Sequence, residues 1–233
     1  NWVGTYVGSR VSAYGVGERF APFYTDSVGT VVSVLDGNAV LAGDAADAAE
    51  WAAFLLQAEV STLMAERSVA EKLAKYLQLP IYSQKVMQLR HFTGTNLPTT
   101  FTPSPREMYP VLSAVFIENL PPFDSWYVDV SHRLRHGVCH VAGIKKEEGT
   151  AAVAMTVAET AGGAVIGSVA TLPTYRKKGF SSACIGNLIT VLHAENPAKK
   201  IWILPKTDYA ENLYEKLGFS VCGEAGKIVF KGR

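Results

Sequence analysis

The amino-acid sequence predicts an α/β protein, and two observations carry that prediction. The first is residues 164–193, where small and β-branched residues form a strand that breaks at Pro173, and a helix follows a short turn. That helix carries apolar residues at helical spacing: Cys184, Ile185, Leu188, Ile189, Val191 and Leu192. The second is the rest of the chain, in which β-rich runs alternate with amphipathic helical segments. A chain of 233 residues can bury a substantial core as one large domain or two small ones.

Composition and charge narrow the class of protein. Hydrophobic residues make up 48% and charged residues 18%, which is ordinary for a globular protein. The net charge of +1 gives no bulk attraction to nucleic acid or anionic membranes, and no apolar run approaches a membrane span. The three cysteines lack metal or redox spacing, which suits a reducing cytoplasm. No signal peptide is visible, although the chain begins without Met and a lost leader stays open.

The N-terminal third predicts strands and helices with no phosphate loop among them. Asp36-Gly37 between two apolar runs indicates a hairpin, and Asp44 could cap the helix after it. Pro80 ends the last helix of this part. Strands are predicted within residues 20–42 and at 61–65, and helices at 44–58 and 69–77.

The C-terminal two thirds continue the alternation after a strand at 84–91. Residues 94–105 form a connector rich in Pro and Thr. Asp208 with Glu211 indicates a capping box, and Gly218 suits the left-handed position after that helix. Strands are predicted at residues 137–144, 150–160, 164–171, 200–204, 219–222 and 227–231, and helices at 106–118, 123–135 and 209–217.

The turn at residues 176–182 has the features of an anion site. A helix start presents unpaired N–H groups and a partial positive charge, Gly179 permits close approach, and basic residues precede it. A phosphate or diphosphate would fit there. The alternative is a basic turn that only opens a surface helix. The chain contains neither G-x-x-x-x-G-K-[ST] nor G-x-G-x-x-G, so the two common nucleotide motifs are excluded.

Two segments together resemble a known family. Val169-x-Thr171-x-Pro173, followed by residues 176–181 (RKKGFS), resembles the acetyl-CoA motif Q/R-x-x-G-x-G/A of the GNAT acetyltransferase superfamily. About thirty residues later, residues 212–219 (NLYEKLGF) resemble that superfamily's L-Y-E-K-L-G-F motif. Ser181 departs from the usual Gly or Ala and is small enough to be tolerated.

The resemblance implies a fold and a division of the chain. It implies a mixed, strongly twisted sheet flanked by helices, with an acetyl-CoA-binding domain at residues 83–233. Residues 1–82 would form a smaller α/β domain that resembles a degenerate half of the same fold, as in bacterial two-part members. That domain would be structural and could wall the acceptor cleft. The two helices after the connector would lie over the cleft.

The resemblance also assigns site residues. The strand backbone at Val169, Ala170 and Thr171 would pair with the pantetheine arm of acetyl-CoA. The pyrophosphate would be held by the turn and first helical residues: Arg176, Lys177, Lys178, Gly179, Phe180, Ser181 and Ser182. Tyr214 matches the family's tyrosine that protonates the departing thiolate. The alternative for Tyr214 is a core tyrosine whose hydroxyl bonds to backbone.

The group that takes the acceptor's proton is poorly marked. Glu159 is the nearest acidic candidate; the alternative is that Glu159 is only a surface turn residue, and the amine could also lose its proton through water. His132 and His140 are second candidates. A metal site is not expected, because Gly137 interrupts any helix that would bring His132, His136 and His140 onto one face.

The most favoured function is transfer of acetyl from acetyl-CoA to a primary amine by direct attack. One alternative is a non-catalytic CoA-binding or regulatory module, which the missing strand carboxylate favours. Another is transfer of a longer acyl group. The sequence identifies neither the acceptor nor the oligomeric state.

Overall fold

The computed structural model describes residues 1–92, 94, 98–117 and 120–230. Within these ranges the helices are α1 (Trp2–Tyr14), α2 (Ala48–Gln57), α3 (Arg67–Leu77), α4 (Pro105–Val115), α5 (Phe123–Arg135), α6 (Phe180–Glu195) and α7 (Asp208–Lys216). The strands are β1 (Phe23–Thr25), β2 (Val31–Leu35), β3 (Asn38–Ala42), β4 (Thr62–Glu66), β5 (Ile81–Leu89), β6 (Val141–Lys146), β7 (Gly149–Thr160), β8 (Gly163–Thr171), β9 (Lys200–Ile203) and β10 (Phe219–Val229). None of the described helices is long and apolar enough to cross a membrane.

The strands form one mixed sheet in the order β1-β2-β3-β4-β10-β5-β9-β8-β7-β6. Two pairs are parallel, β3 with β4 and β8 with β9, and the others are antiparallel. Neighbouring residues of β7 face opposite sides: Val153 and Met155 pack with α4 and α5, whereas Ala152 and Ala154 pack with α6. Helices therefore cover both faces, which confirms the predicted fold class.

β10 joins the N-terminal and C-terminal parts of the sheet. Its residues 225–229 pair with β4, and residues 219–228 pair with β5. Ile228 and Phe230 belong to the hydrophobic core that α2 and α3 cover. The sheet is thus continuous across residues 82 and 83, and the domain boundary there stays a prediction.

Several predicted details are wrong. β10 is a single strand, because a bulge between Val221 and Gly223 carries the pairing past residue 222. Asp47, not Asp44, caps α2, because its side chain accepts from Glu50 N at 2.9 Å. Thr207, not Asp208, caps α7. Parts of three predicted segments, at residues 95–97, 118 and 231, lie outside the described residues.

Helix α1 has no counterpart in the sequence-based prediction. Its two glycines and several β-branched residues lower intrinsic helix propensity. Tertiary packing compensates: Trp2 and Val3 are buried in a core with Val165, Trp202 and other sheet residues. Asn1 caps the helix by accepting from Gly4 N at 2.8 Å. The helix therefore lies against the middle of the sheet, where it contributes to the site described next.

Candidate active site

The site begins where two parallel strands separate. β8 pairs with β9 only from Gly163 to Ile166, although β8 continues to Thr171. Ser168 has a φ of 47°, and the pairing with β7 shifts register beside it, so β8 bulges at this point. The last residues of β8 therefore have no strand beside them on the β9 side, and a gap separates the two strands there. A cavity of about 700 Å³ occupies this region.

The turn before α6 forms one end of the cavity. Gly179, with a φ of 77°, is the N-cap and gives no side-chain cap, so the first amides of the helix lack intrahelical acceptors. Thr171 Oγ1 lies 2.8 Å from Ser181 Oγ, and Arg176 Nε donates to Thr171 O at 3.3 Å. These two bonds tie the turn to the strand end. The geometry suits an anion held against the helix start.

The structure places the predicted cofactor-binding residues as follows. Eight of the ten line the cavity: Val169, Thr171, Arg176, Lys177, Gly179, Phe180, Ser181 and Ser182. The other two lie elsewhere. Ala170 is buried in the core under α4 and α5, and the Lys178 ammonium sits 5.1 Å from the centre of the Tyr175 ring. Lys178 therefore contributes charge near the turn without lining the cavity.

Tyr214 lies on α7 and lines the same cavity. Its side chain is 6% exposed and its ring centre is 6.2 Å from that of Phe219. Burial raises the pKa of the Tyr214 phenol to about 12. No residue in the described ranges bonds to the Tyr214 hydroxyl. The phenol is thus protonated at neutral pH, and its hydroxyl is left for a group inside the cavity.

Other parts of the cavity lining come from residues that the sequence did not single out. α1 supplies Tyr6, β4 supplies Met64, and the half-buried Gln84 comes from β5. Phe116 and Trp126 come from the two-helix region that was predicted to cover the cleft. No local pattern marks Tyr6, Met64 or Gln84, because their meeting depends on the order of strands in the sheet.

Glu159 does not lie beside Tyr214. It lines a second cavity, of about 460 Å³, together with Lys199 and Glu195. Glu159 is 3% exposed; Lys199 Nζ donates to it at 3.0 Å and Thr156 Oγ1 at 2.8 Å. Burial alone would raise the pKa of Glu159, but hydrogen bonds from His140, Lys199 and Thr156 lower it below the usual range. The predicted base is an ionised member of a buried ion-pair cluster.

His140 completes this cluster, and it does not line the Tyr214 cavity. Its Nδ1 lies 3.0 Å from Glu159 and its Nε2 lies 2.9 Å from Glu195, and the bond to Glu159 chiefly raises the His140 pKa. Ligand atoms of these three residues lie within 4.8 Å of one another, as in a metal site. The Lys199 ammonium, however, already pairs with both carboxylates at about 3 Å. The other second candidate, His132, stacks on Tyr14 and His136 and its Nε2 lies 2.6 Å from Ala13 O.

Comparisons with known proteins are consistent with this geometry. Residues 141–226 match the model of the FR47-like protein family. A GCN5-related N-acetyltransferase from Kribbella flavida is 14% identical, with a TM-score of 0.69 over 100% of this chain and 95% of that one. A GCN5-related N-acetyltransferase-like protein from Streptococcus suis is 14% identical, with a TM-score of 0.61 over 99% and 100%. No curated protein matches the chain by sequence.

A third solved structure bears on the N-terminal part. A tandem GNAT protein from the clavulanic acid biosynthesis pathway is 12% identical, with a TM-score of 0.63 over 98% of this chain and 93% of that one. The likeness therefore spans residues 1–82 as well as the segment that matches the family model. At these identities it establishes the fold.

Proposed function

We propose that this chain is a member of the GNAT superfamily and that it transfers an acetyl group from acetyl-CoA to a primary amine. The observation that carries the proposal is that three features meet at one cavity. The free edge of β8, the uncapped start of α6 and the Tyr214 hydroxyl all face the same space. Three free thiols suit a reducing compartment, so we also propose a cytoplasmic location.

The pantetheine arm and the diphosphate of acetyl-CoA fit two different parts of the cavity. After Ile166 the edge of β8 has no β9 partner, and its backbone there can pair with the amide groups of a pantetheine arm, as an added strand would. The amides that begin α6 suit the diphosphate, since they are fixed before charge arrives and need no reorganisation. Arg176 is oriented by the Thr171 carbonyl and adds positive charge beside them. Acetyl-CoA supplies the activated thioester.

Transfer then requires one attack and two proton movements. The amine nitrogen forms a bond to the acetyl carbon as the bond from that carbon to sulfur breaks. Tyr214 donates its phenolic proton to the departing sulfur and regains one from water. The amine gives its proton to water, because Glu159 lies in the other cavity. This assignment leaves Tyr214 as the single proposed proton donor.

An assay for thiol release tests the proposal. Acetyl-CoA is incubated with the protein and a panel of primary amines, free thiol is followed by absorbance, and products are identified by mass spectrometry. We expect thiol release that depends on the amine, with an equal yield of N-acetylated product. Release of acetate without N-acetyl product would contradict the proposal. CoA binding without any thiol release would instead favour the non-catalytic module.

A further inference from the structure

We propose that the acceptor is a weakly basic amine on an apolar or aromatic body, and that it enters the cavity uncharged. The inference deepens the proposed function and rests on it, since it takes the thioester to lie beside Tyr214. Three features of the cavity carry it: an apolar end, a lining whose described residues include no carboxylate, and two neutral polar groups.

One part of the cavity lining, called here the apolar end, carries mainly apolar side chains, although the Lys206 ammonium lies 5.3 Å from the centre of the Phe116 ring. Its side chains come from β4, β7, β8 and the two-helix region: Met64, Val115, Phe116, Leu120, Trp126, Val157 and Val165. Trp126 is 7% exposed and belongs to the ordered core beneath α4 and α5, so this wall is fixed by packing. Such a surface gains free energy from an acceptor that presents hydrocarbon or an aromatic ring.

The described part of the cavity lining offers no anion to a cationic amine. Among the described residues that line it, the charged ones are Arg176, Lys177 and Lys206, and none is Asp, Glu or His. Burial raises the pKa of Tyr6 to about 12, so this lining phenol keeps its proton at neutral pH and supplies no anion either. An ammonium that entered would lose its water without gaining a partner. The charge distribution therefore disfavours strongly basic amines.

Two neutral polar groups remain to orient the acceptor. Gln84 Nε2 donates to Leu204 O and Pro205 O, each at 3.1 Å. Since both partners are acceptors, the amide can face them only with its nitrogen, which leaves Oε1 as a spare acceptor. No residue in the described part of the chain bonds to the Tyr6 hydroxyl, and Tyr6 lines the same cavity. Either group can bond to an amine N–H or to a polar substituent.

The proton balance leads to the same class of acceptor. The nitrogen lone pair forms the new bond to carbon, the sulfur leaves with the bonding pair, and a proton passes from nitrogen to water. The described lining residues include no Asp, Glu or His, so an ammonium would find no carboxylate or imidazole base among them. An alkylamine like that of lysine is neutral in only about one molecule in a thousand at pH 7, whereas an α-amine is neutral in about one in ten.

Four amines separate the effect of basicity from the effect of an apolar body. L-Phenylalaninamide is weakly basic and aromatic, glycinamide is weakly basic without an apolar body, 2-phenylethylamine is aromatic but strongly basic, and 1,4-diaminobutane is strongly basic and polar. At pH 7 we expect kcat/KM for L-phenylalaninamide to exceed that of 2-phenylethylamine about 100-fold and that of glycinamide about tenfold. Between pH 7 and 9, 2-phenylethylamine should gain about tenfold per pH unit. A preference for 1,4-diaminobutane, or equal rates for the two aromatic amines at pH 7, would overturn the inference.

A matched pair of variants tests the apolar end. Phe116→Glu places a carboxylate in the cavity, and Ile117→Glu places one on the adjacent residue, which is 83% exposed and outside the cavity. With Phe116→Glu we expect kcat/KM to fall about tenfold for L-phenylalaninamide and to rise for 1,4-diaminobutane. Ile117→Glu should change neither. If the two variants behave alike, the acceptor does not contact this end and the inference fails.

The following outcomes distinguish a failure of this inference from a failure of the proposed function. If calorimetry detects no CoA binding, the proposed function fails and the inference fails with it. If CoA binds and thiol is released only with polar cationic amines, the acceptor class alone is wrong. CoA binding with no thiol release for any of the four amines also overturns the inference. If hexanoyl-CoA outcompetes acetyl-CoA more than about tenfold, the apolar end belongs to the acyl chain and the inference is again overturned.

Discussion

At the scale of single residues, the position of a hydroxyl separates Tyr214 from an ordinary core tyrosine. A buried phenol usually finds a backbone partner, whereas the Tyr214 hydroxyl has none among the described residues and faces the cavity. Burial raises its pKa to about 12, so it keeps its proton until a stronger base forms beside it. A departing thiolate is such a base only in an enclosed site, where its own charge is poorly solvated.

Tyr214→Phe removes the proton and keeps the ring that packs on Phe219. We expect kcat to fall at least tenfold, while the dissociation constant for acetyl-CoA stays within about twofold of wild type, because general acids typically contribute 10²- to 10⁴-fold. Stopped-flow thiol detection and calorimetry measure the two quantities. Tyr76→Phe, at a residue that is 60% exposed and outside the cavity, is the control. Full activity of Tyr214→Phe would remove the residue from the mechanism.

Glu159→Gln should lower stability and leave kcat nearly unchanged, in contrast to Tyr214→Phe. The substitution leaves Lys199 and His140 without a buried anionic partner, which costs about 3 kcal/mol of the free energy of unfolding. Since Glu159 lies outside the Tyr214 cavity, kcat of the folded variant should stay within about twofold of wild type. Urea unfolding measures the free energy of unfolding, and the thiol assay measures kcat. A large loss of kcat with unchanged stability would return Glu159 to the role of base.

His140→Gln tests the same cluster through pH. Its bond to Glu159 raises the folded-state pKa of His140 above the unfolded value of about 6.5. The stabilisation is therefore fully present below that unfolded value and is lost as pH rises through the raised folded value. Urea unfolding should show a deficit for His140→Gln near pH 5.5 that shrinks by pH 9. His91→Gln, at an exposed site, should show no such trend; a deficit independent of pH would contradict the assignment.

At the scale of elements, the sequence predicted the strand, turn and helix of residues 164–193 well. Their signals are local: β-branched residues, Pro173, Gly179 and a helical apolar stripe. The gap between β8 and β9 was not predictable, because it depends on how far two distant strands pair. The caps at Asp47 and Thr207 were each missed because a neighbouring carboxylate gave an equally good local pattern.

Gly179→Ala tests the helix start. A Cβ at Gly179 would meet nothing within 4 Å, so it would project into open space, but the φ of 77° costs a non-glycine residue roughly 1 kcal/mol. We expect the dissociation constant for CoA to rise about fivefold, because the methyl group and the relaxed turn both disturb the first amides.

The matched control is Gly137→Ala. Gly137 has a φ of 65° and open space around its Cβ, and it lies away from the Tyr214 cavity. It should lose a similar free energy of unfolding and keep its affinity for CoA within about twofold. Equal losses of affinity in the two variants would mean that strain, and not position, explains the effect.

At the scale of the whole molecule, β10 sets the arrangement on which the site depends. By pairing with β4 and β5 together, it brings the N-terminal strands and α1 next to the gap between β8 and β9. Tyr6 and Met64 reach the cavity through this arrangement alone. A single sequence does not reveal it, since the predicted break within residues 219–231 concealed a strand that continues across a bulge.

The same topology explains why Glu159 lies outside the Tyr214 cavity. Glu159 lies near the end of β7, opposite Ala164, at the start of β8, whereas the cavity runs along β8 from Val165 to Thr171 and on to the Gly179 turn. Residue types and the order of motifs assigned Tyr214 and the Gly179 turn to one site, and both line the same cavity. Distance along a strand separates Glu159 from them, and only the register of the sheet reveals that distance.

The central claim is that the amides at the start of α6 bind the diphosphate of CoA. Calorimetric titration of the full chain with CoA, and in parallel with pantetheine, which lacks the diphosphate, tests it most directly. We predict one CoA per chain with a dissociation constant on the order of 10 μM, and binding of pantetheine at least about tenfold weaker. No heat with CoA, or equal affinity for the two ligands, would contradict the claim.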